Sequence, residues 1–413
     1  MAKNEQDKYI DEWADEQNRH IGEIKIPPLG EYPPDLECWY GSLMNELVTK
    51  DLIRHFADAS GDRNPLWRNE DYAKNTRWGG IIAPPTFTDG MIQPYAGNMV
   101  TGSEIVPKFN SFFSLPDGAT RMIFQVMRPG DKIRAIQYSL GVKETVPYRP
   151  NPAREFEDTV RRVLINQREE VVAILDRHMK VVINHAFDND HPYWIKRKKR
   201  RLTDAERDEI QNYYDTEKIR GPRTPYWEDV KVGEALNEVL VGPIQIQDTF
   251  SAYTVVTGHA AGFDLEWERV KKNFDFHWLD PEMNAWSAGA ACHVCDEKGH
   301  AFLWDGGAAV GFFFTAEWIL GRLVVKWMGD NGFLKKMDDR CDPYYPIIGD
   351  VLRAKGEVTK KYSEGGENLV DLKIHIENQD KVNIMRGTAV VQLPSKNDYK
   401  LEKQSPITYK TSL

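Results

Sequence analysis

Two short segments of the chain place a side chain that can move protons directly after a glycine. Asp62 follows a glycine and the helix-like run DLIRHFADA, and His259 follows a glycine and the run DTFSAYTVV. Five residues beyond Asp62 stands Trp67, and five residues beyond His259 stands Asp264. A histidine can take a proton from water because its ordinary pKa is about 6.5, and an aspartate can orient water or carry a proton. The pair His259 and Asp264 therefore has the residue types of general acid–base catalysis.

The two segments belong to an internal repeat. Ser60 and Thr257 begin the matching turns at an offset of 197 residues, and a second Gly-Asp turn recurs at 130–131 and 349–350 at an offset of 219. Stretches that begin at Asn166 and Asn378 match at an offset of 212. Three matches in the same order predict two similar halves. The jump from 197 to 219 predicts about 22 extra residues in the second half.

The elements that must position these residues follow the same order in both halves. A short helix precedes the first glycine turn, an apolar helix follows a segment broken by Gly or Pro, and alternating strands such as KIRAIQYSLGV and VLRAKGEVTK come after the Gly-Asp turn. The last strands, in AILDRHMKVVINHAF and NIMRGTAVVQL, are rich in β-branched residues and favour antiparallel pairing. The sequence therefore predicts an α+β fold, with long helices that begin near Pro84 and near Gly306.

The repeat also predicts the domain boundaries. We expect an N-terminal unit at 1–190, a linker at 191–224 and a C-terminal unit at 225–413 with an inserted segment at about 265–292. The linker holds the basic run KRKKRR and then a helical segment of alternating charge, LTDAERDEIQNYYDTEKI. Such a run is usually a solvated linker, and contact with the phosphates of a nucleotide-like cofactor is the alternative.

One stretch carries a family signature. Residues 56–87, FADASGDRNPLWRNEDYAKNTRWGGIIAPPTF, resemble the signature of MaoC-like, (R)-specific enoyl-CoA hydratases and dehydratases of the hotdog superfamily. The later Pro-Gly-Asp turn and the tract WILGRLVVKWMGDNGFL are also similar to that family. The resemblance covers about 40–190 and 225–395 and implies a tandem (double) hotdog, each half a long central helix wrapped by an antiparallel β-sheet. The signature residues present are Gly61, Asp62, Asn64, Pro65 and Ala73.

The resemblance implies addition or removal of water at an enoyl-CoA (3-hydroxyacyl-CoA) thioester, with no cofactor beyond the CoA of the substrate. The first half departs from the family pattern, because Trp67 stands where the family has histidine. Its central helix is preceded by Ala83, Pro84 and a second proline, and proline has no N–H for the thioester oxygen. Asp62 and Asn64 therefore either tie the turn together or take part in catalysis. We expect this half to hold the substrate, at Trp67, Ala83 and Pro84.

The second half has the two catalytic residue types at the family spacing, but in exchanged order. The resemblance makes His259 the candidate base and Asp264 the residue that orients water or handles the Cα proton, with a chance pairing as the alternative. Gly306 and Gly307 keep the backbone N–H groups that could hold the thioester oxygen, although glycines before a helix are also ordinary loop residues. His293, which is followed by Val-Cys-Asp, is the competing base.

The inserted segment raises two further questions. Cys292 and Cys295 form a lone C-x-x-C, which is a weak zinc signal without a second pair, so we expect no metal. The region from Asp264 to Gly306 is also rich in aromatic residues. They could form a pocket for a bulky, ring-bearing acyl group or an extra patch of core.

Composition excludes several classes of protein. The 413 residues are 41% hydrophobic and 28% charged, with a net charge of −9, which argues against a general affinity for nucleic acid or anionic membrane. Four cysteines fit a reducing compartment, and the N-terminus has no apolar stretch of the signal-peptide kind. The most apolar segment, 306–327, carries Glu317, Arg322 and Lys326 and cannot span a bilayer. We expect a soluble cytoplasmic protein, with homodimerisation left open.

The sequence and its family resemblance are compatible with three functions. The first is an enoyl-CoA hydratase or 3-hydroxyacyl-CoA dehydratase. The second is a non-catalytic, acyl-CoA-binding subunit of a hydratase complex, which the missing histidine of the first half favours. The third is a lyase or thioesterase that acts on an acyl-CoA on the same fold. The fold alone does not decide among these functions.

Overall fold

The computed structural model describes residues 5–23, 45–91, 112–145, 154–183, 200–223, 225–245, 247–248, 251–252, 255, 278–280, 284–287, 312–342 and 346–397. Five α-helices lie in these ranges: α1 Glu5–Arg19, α2 Lys50–Ala59, α3 Glu70–Lys74, α4 Asp204–Thr216 and α5 Phe312–Met328. Short 3₁₀ helices lie at Pro65–Trp67, Pro85–Met91 and Trp227–Asp229.

Nine strands form one sheet, and every neighbouring pair in it is antiparallel. Four belong to the first half: β1 Phe112–Ile123, β2 Ile133–Glu144, β3 Arg154–Asn166 and β4 Val171–Ile183. A short strand, β5 Val239–Val241, precedes a separate hairpin of β6 Trp278–Asp280 and β7 Ala285–Ser287. The second half adds β8 Phe333–Cys341, β9 Leu352–Glu364, β10 Glu367–Asn378 and β11 Asn383–Gln392.

The strand order shows that the two halves are copies. It runs β2-β3-β4-β1 in the first half and continues as β8-β11-β10-β9-β5, which is the same order reversed. The halves meet where β1 pairs with β8, with Thr120 opposite Asp338. The predicted strands after the Gly-Asp turns are β2 and β9, and the predicted last strands are β4 and β11. The double-hotdog expectation is confirmed.

The two Gly-Asp turns, at 130–131 and 349–350, make the same hydrogen bonds. The carboxylate of Asp131 accepts a backbone N–H of its own turn and the side-chain amide of Gln167 at 3.2 Å. Asp350 does the same in the second half, with Gln379 as the amide donor at 3.0 Å. The glycine before each aspartate has φ of +97°, a backbone conformation that glycine adopts without strain. The sequence match at offsets 219 and 212 therefore reflects the same local structure.

Helix α5 is the central helix of the second half, and it includes residues 318–328 as predicted. It packs against β8 and β1, and Trp318, Leu323 and Trp327 are fully buried. A helix that is apolar on most of its circumference needs cover on all sides, which explains why this tract is the most apolar of the chain. The predicted start near Gly306 lies outside the described residues.

In the first half a 3₁₀ segment, Pro85–Met91, stands where the sequence predicts the start of a long helix near Pro84. The residues that follow Met91, up to 111, are not described. Gly321 of α5 lies against this segment. A Cβ at Gly321 would come within 2.5 Å of Thr86 Cγ2, so the missing side chain allows the two halves to approach closely.

The linker contains the predicted helix of alternating charge, which is α4. Thr203 and Glu206 form a capping box at its start, in which the side chain of each residue accepts the backbone N–H of the other. From the basic run, Arg200 pairs with Glu206 and Asp380 on the protein surface. None of the helices within the described ranges is both long and apolar enough to cross a membrane.

A buried network of charges joins the two halves beneath the sheet. Arg121 of β1 is fully buried and donates to Asp339 of β8 at 2.5 Å, to Asp89 at 2.9 Å and to Glu317 of α5. Arg177 of β4 donates to the remaining oxygens of Glu317, at 2.5 Å, and Asp89, at 3.1 Å. Arg121 and Arg177 belong to the first half, and two of their three carboxylate partners belong to the second.

This network contains three carboxylates and two guanidinium groups. Burial raises the pKa of Asp339 to about 7, although the charge of Arg121 opposes the rise. The negative charge of Glu317 adds to the rise, so both burial and a neighbouring carboxylate favour the protonated form of Asp339. The network fixes the first half against α5 and therefore fixes the walls of the space between the halves.

Candidate functional site

The glycine turn after α2 holds its aspartate tightly. Gly61 has φ of +67°, and Asp62 is buried directly behind it. One carboxylate oxygen of Asp62 accepts the backbone N–H of Asn64 at 2.9 Å, and the other accepts the indole N–H of Trp67, also at 2.9 Å. Such an Asx turn is a common local structure for aspartate. Both oxygens of Asp62 are thus occupied by donors of its own turn.

Asp62 and Trp67 are hydrogen-bonded to each other, but the two side chains cannot act together as an acid and a base. Burial raises the pKa of Asp62 above its usual range, while the N–H of Asn64 and the charge of Arg322 oppose the rise. An indole N–H can donate but cannot accept a proton. Trp67 therefore cannot serve Asp62 as a base, and the contacts of Asp62 with the described residues are those of a residue that shapes the turn.

The same turn binds the second half. The side-chain amide of Asn64 donates to one oxygen of Asp330 at 2.8 Å, and the hydroxyl of Tyr72 donates to the other. The indole of Trp78 donates to the Asp330 carbonyl at 2.7 Å. Asp330 lies just after α5, so these hydrogen bonds join the first half to the C-terminal end of the central helix of the second half.

Sequence reasoning missed Asp330, Tyr72 and Trp78. The available signal was the Gly-Asp-Asn-Gly run at 329–332, a strong turn sequence directly after the apolar helix. The run marks the end of a helix, but it does not reveal a partner more than 250 residues away in the chain.

An apolar cleft lies beside this contact, between the two halves. It has a volume of about 510 Å³ including its open mouth. From the first half come the predicted substrate-binding residues Trp67, Ala83 and Pro84, which the fold brings together in one wall. The opposite wall comes from the end of α5 and the start of β8. The main residues of that wall are Val325, Met328, Asp330, Phe333 and Leu334.

The helix start at the cleft offers few backbone donors. The N–H of Ala83 is bonded to the carbonyl of Met127 at 2.9 Å, and Pro84 and Pro85 have no N–H. The carbonyl of Pro84 accepts the N–H of Phe87 at 2.9 Å. Residues 83–85 therefore provide no backbone donor for a developing oxyanion.

The predicted catalytic residues of the second half, His259, Asp264 and His293, lie outside the described residues, as do Gly306 and Gly307. Their roles stay predictions. The cysteines of the weak zinc signal, Cys292 and Cys295, fall in the same part of the chain. In the ranges that are described, no group of three or more His, Cys, Asp or Glu side chains could hold a metal ion.

The fold and the cleft define a double hotdog, two copies of one α+β unit that share a continuous sheet. Residues 39–146, which include the whole glycine turn and the wall of the cleft, match the FAS1-like dehydratase domain region. A solved structure named MaoC-like dehydratase superposes with a TM-score of 0.57 at 16% identity, over 86% of this chain and 97% of that one. The chain therefore has a double-hotdog fold, as the sequence predicted, and its first half is similar to a dehydratase region.

Curated relatives match shorter stretches. A protein of Thermobifida fusca named UPF0336 protein is 40% identical over 63 residues, which is 15% of this chain and 41% of the relative. The 3-hydroxybutyryl-CoA dehydratase of Methylorubrum extorquens is 31% identical over 71 residues, or 17% of this chain and 45% of that enzyme. The chain thus spans less than half the length of the curated relatives that it matches.

Proposed function

We propose that this protein hydrates an enoyl-CoA or dehydrates a 3-hydroxyacyl-CoA. The observation that carries the proposal is the apolar cleft between the halves, built on a Gly-Asp-x-Asn-Pro turn within the segment that matches a dehydratase region. The partial match to a 3-hydroxybutyryl-CoA dehydratase supports the same reaction class. A double hotdog by itself carries no reaction.

The cleft suits the acyl and pantetheine parts of such a substrate. Its walls are largely apolar, and burial of apolar surface stabilises a bound chain by about 25 cal/mol per Å². The cleft is open at its mouth, so a long ligand can enter from one end. We place the acyl-pantetheine chain between Trp67 and Pro84 on one side and Val325 and Met328 on the other. We further propose that the acyl group is bulky and ring-bearing, because the inserted segment is rich in aromatic residues.

The chemistry is assigned to the second half. Asp62 has both oxygens engaged, Trp67 beside it cannot act as a base, and residues 83–85 offer no backbone donor to a thioester oxygen. We therefore propose His259 as the base that takes a proton from water as the hydroxyl adds to Cβ. Asp264 orients that water or delivers the proton to Cα. The amides of Gly306 and Gly307 hold the negative charge that develops on the thioester oxygen.

Substitution of the candidate bases tests this assignment. His259→Ala should lower kcat about 10²–10⁴-fold, the usual contribution of a general base, and should leave substrate binding nearly unchanged. Hydration is followed by loss of the conjugated-thioester absorbance. His293→Ala is the matched control, since it removes the competing base. Full activity in His259→Ala together with inactivity in His293→Ala would move the site to the inserted segment.

The first half needs its own test. Trp67→Phe keeps an apolar ring in the cleft and removes the indole N–H that binds Asp62. We expect a change in stability and in KM, with kcat retained. A loss of kcat in Asp62→Asn, an isosteric change, at unchanged stability would show that the first half carries the chemistry and that the division of labour is reversed.

A second candidate is an acyl-CoA-binding subunit without turnover. Trp67 in place of a base and the prolines at the helix start favour it, because both remove catalytic groups from the described cleft. Tight binding of enoyl-CoA without hydration across a panel of chain lengths would establish this function. Release of free CoA thiol from the same panel would instead reveal a thioesterase.

A further inference from the structure

A second pocket lies on the other side of the glycine turn, away from the apolar cleft. Its walls come from three elements: the turn at Asp62–Asn64, the linker at 217–221, and the face of α5 that carries Arg322, Val325 and Lys326. Its volume is about 320 Å³ including its open mouth. Unlike the cleft, this pocket is lined mainly by charged side chains.

Two carboxylates, those of Asp62 and Glu217, line the pocket together with four cationic side chains. Glu217 accepts two hydrogen bonds of 2.7 Å from Nη2 of Arg322 and one of 3.3 Å from Nζ of Lys326. Arg322 is only 8% exposed, and its Nη1 has no acceptor among the residues described. This Nη1 lies 2.8 Å from the position that a Cβ of Gly61 would occupy, so only glycine leaves it room.

Two further arginines face the pocket with unused donors. Arg63 is exposed and has neither hydrogen bond nor ion pair in the described part of the chain. Among the residues that the structure describes, the side chain of Arg220 donates to the neutral amide oxygen of Asn237 alone, at 3.1 Å. The chain as a whole has a net charge of −9. Four cationic side chains against two carboxylates thus give this concave, half-open space a local positive excess in a chain of net negative charge.

We infer that this pocket binds a phosphate or diphosphate group through Arg63, Arg220 and Nη1 of Arg322. Guanidinium groups are always charged and present paired N–H donors that match the geometry of phosphate oxygens. The linker supplies Arg220 and the carboxylate that orients Arg322, so the site exists only because the linker packs on α5. This assignment gives the linker a role in binding.

The position of the pocket connects it to the apolar cleft. Val325 lines both spaces, and the contact between Asn64 and Asp330 separates them. A ligand with an apolar arm and a phosphorylated end could therefore occupy both. The phosphates of CoA are one source of this chemistry, which rests on the proposed function. A free nucleotide or diphosphate is the other.

Calorimetric titration of the full chain separates these sources. The probes are acyl-CoA, the matching acyl-pantetheine, which lacks the phosphates, and inorganic pyrophosphate. The test variant is the double substitution Arg63→Gln and Arg220→Gln. Arg63 is exposed, and Arg220 makes one side-chain hydrogen bond among the described residues, so both should be replaceable without unfolding. The control is Arg223→Gln, an exposed arginine of the same linker that does not line the pocket.

We expect the double variant to bind acyl-CoA and pyrophosphate at least about tenfold more weakly, which corresponds to the loss of one charge-assisted hydrogen bond. Binding of acyl-pantetheine should be unchanged, and the control should match the wild type. Added salt should weaken acyl-CoA binding more in the wild type than in the double variant. Equal affinity of wild type and double variant for acyl-CoA and pyrophosphate would overturn the inference.

The outcomes also distinguish this inference from the proposed function. If acyl-CoA and acyl-pantetheine bind with the same affinity to all proteins, the cleft stands and the phosphate site is wrong. If pyrophosphate binds through the two arginines and neither acyl thioester binds, the phosphate site stands for another ligand and the proposed function is wrong.

Discussion

Arg121 provides the sharpest test of how the two halves are held together. It is fully buried, and its guanidinium bonds to one carboxylate from each of three elements, Asp89, Glu317 and Asp339. Arg121→Met keeps most of the volume and removes the charge, which leaves three buried carboxylates with Arg177 as their main counter-charge. Removal of one partner from a buried ion pair typically costs about 3–5 kcal/mol. That loss is about a fifth or more of the stability of an ordinary domain, which is about 5–15 kcal/mol.

The size of this effect should depend on pH. Asp339 has a raised pKa and is neutralised by protonation as the pH falls, so the loss of stability in Arg121→Met should be smaller at pH 5 than at pH 8. Urea denaturation followed by tryptophan fluorescence measures the free energy of unfolding at both values. The control is Arg134→Met on β2, whose partner Glu169 is largely exposed, and such surface pairs contribute about 0–1 kcal/mol. An Arg121→Met loss no larger than that of the control, or one independent of pH, would refute the proposed role of the network.

Two further outcomes concern the same interface. The pKa of Asp339 is raised to about 7 from its usual value near 4, so its contribution to stability is full below about pH 4 and is lost as the pH rises through about 7. Asp339→Asn should therefore flatten the decline in unfolding free energy between pH 5 and pH 8, and an unchanged decline would contradict the assignment. Gly321→Ala should destabilise the protein by about 1–3 kcal/mol through the clash with Thr86, although alanine is the better helix former by about 1 kcal/mol. Gly80→Ala, which meets no atom within 4 Å, should leave the melting temperature nearly unchanged, and equal effects of the two changes would exclude the clash.

The sequence predicts the repeat and the sheet because their signals are local. The turn at Asp131 and its copy at Asp350 share a Gly-Asp pair, and the strands that follow alternate in burial along β2 as a half-buried strand should. The apolar run of α5 likewise predicts a buried central helix. In each case the residues that define the element are close neighbours in the chain.

The links between the halves could not be predicted in the same way. Arg121 and Asp339 are 218 residues apart, and each by itself looks like an ordinary polar residue of a strand. Only the pairing of β1 with β8 brings them together and removes them from water. Asn64 and Asp330, and Gly321 and Thr86, likewise meet only when the two copies dock, so their contacts depend on tertiary structure that no local pattern encodes.

The candidate site was predicted in part. The family resemblance identified the turn at Asp62 and the wall at Ala83 and Pro84, because a short motif fixes their spacing. It did not identify Arg322 or Glu217, since the linker that carries Glu217 has no counterpart in the motif. Charged residues of a linker are usually solvated, and their burial against α5 is visible only in the fold.

One measurement tests the central claim most directly, namely that the cleft between the halves holds an acyl-CoA for hydration. It is the steady-state hydration of a panel of trans-2-enoyl-CoA thioesters by the wild type and by Ala83→Phe, which fills the cleft. We expect hydration by the wild type and a KM raised about tenfold or more in the variant, with kcat largely retained, because the first half contributes binding and not chemistry. Absence of hydration with every thioester, or identical KM values for the two proteins, would contradict the claim.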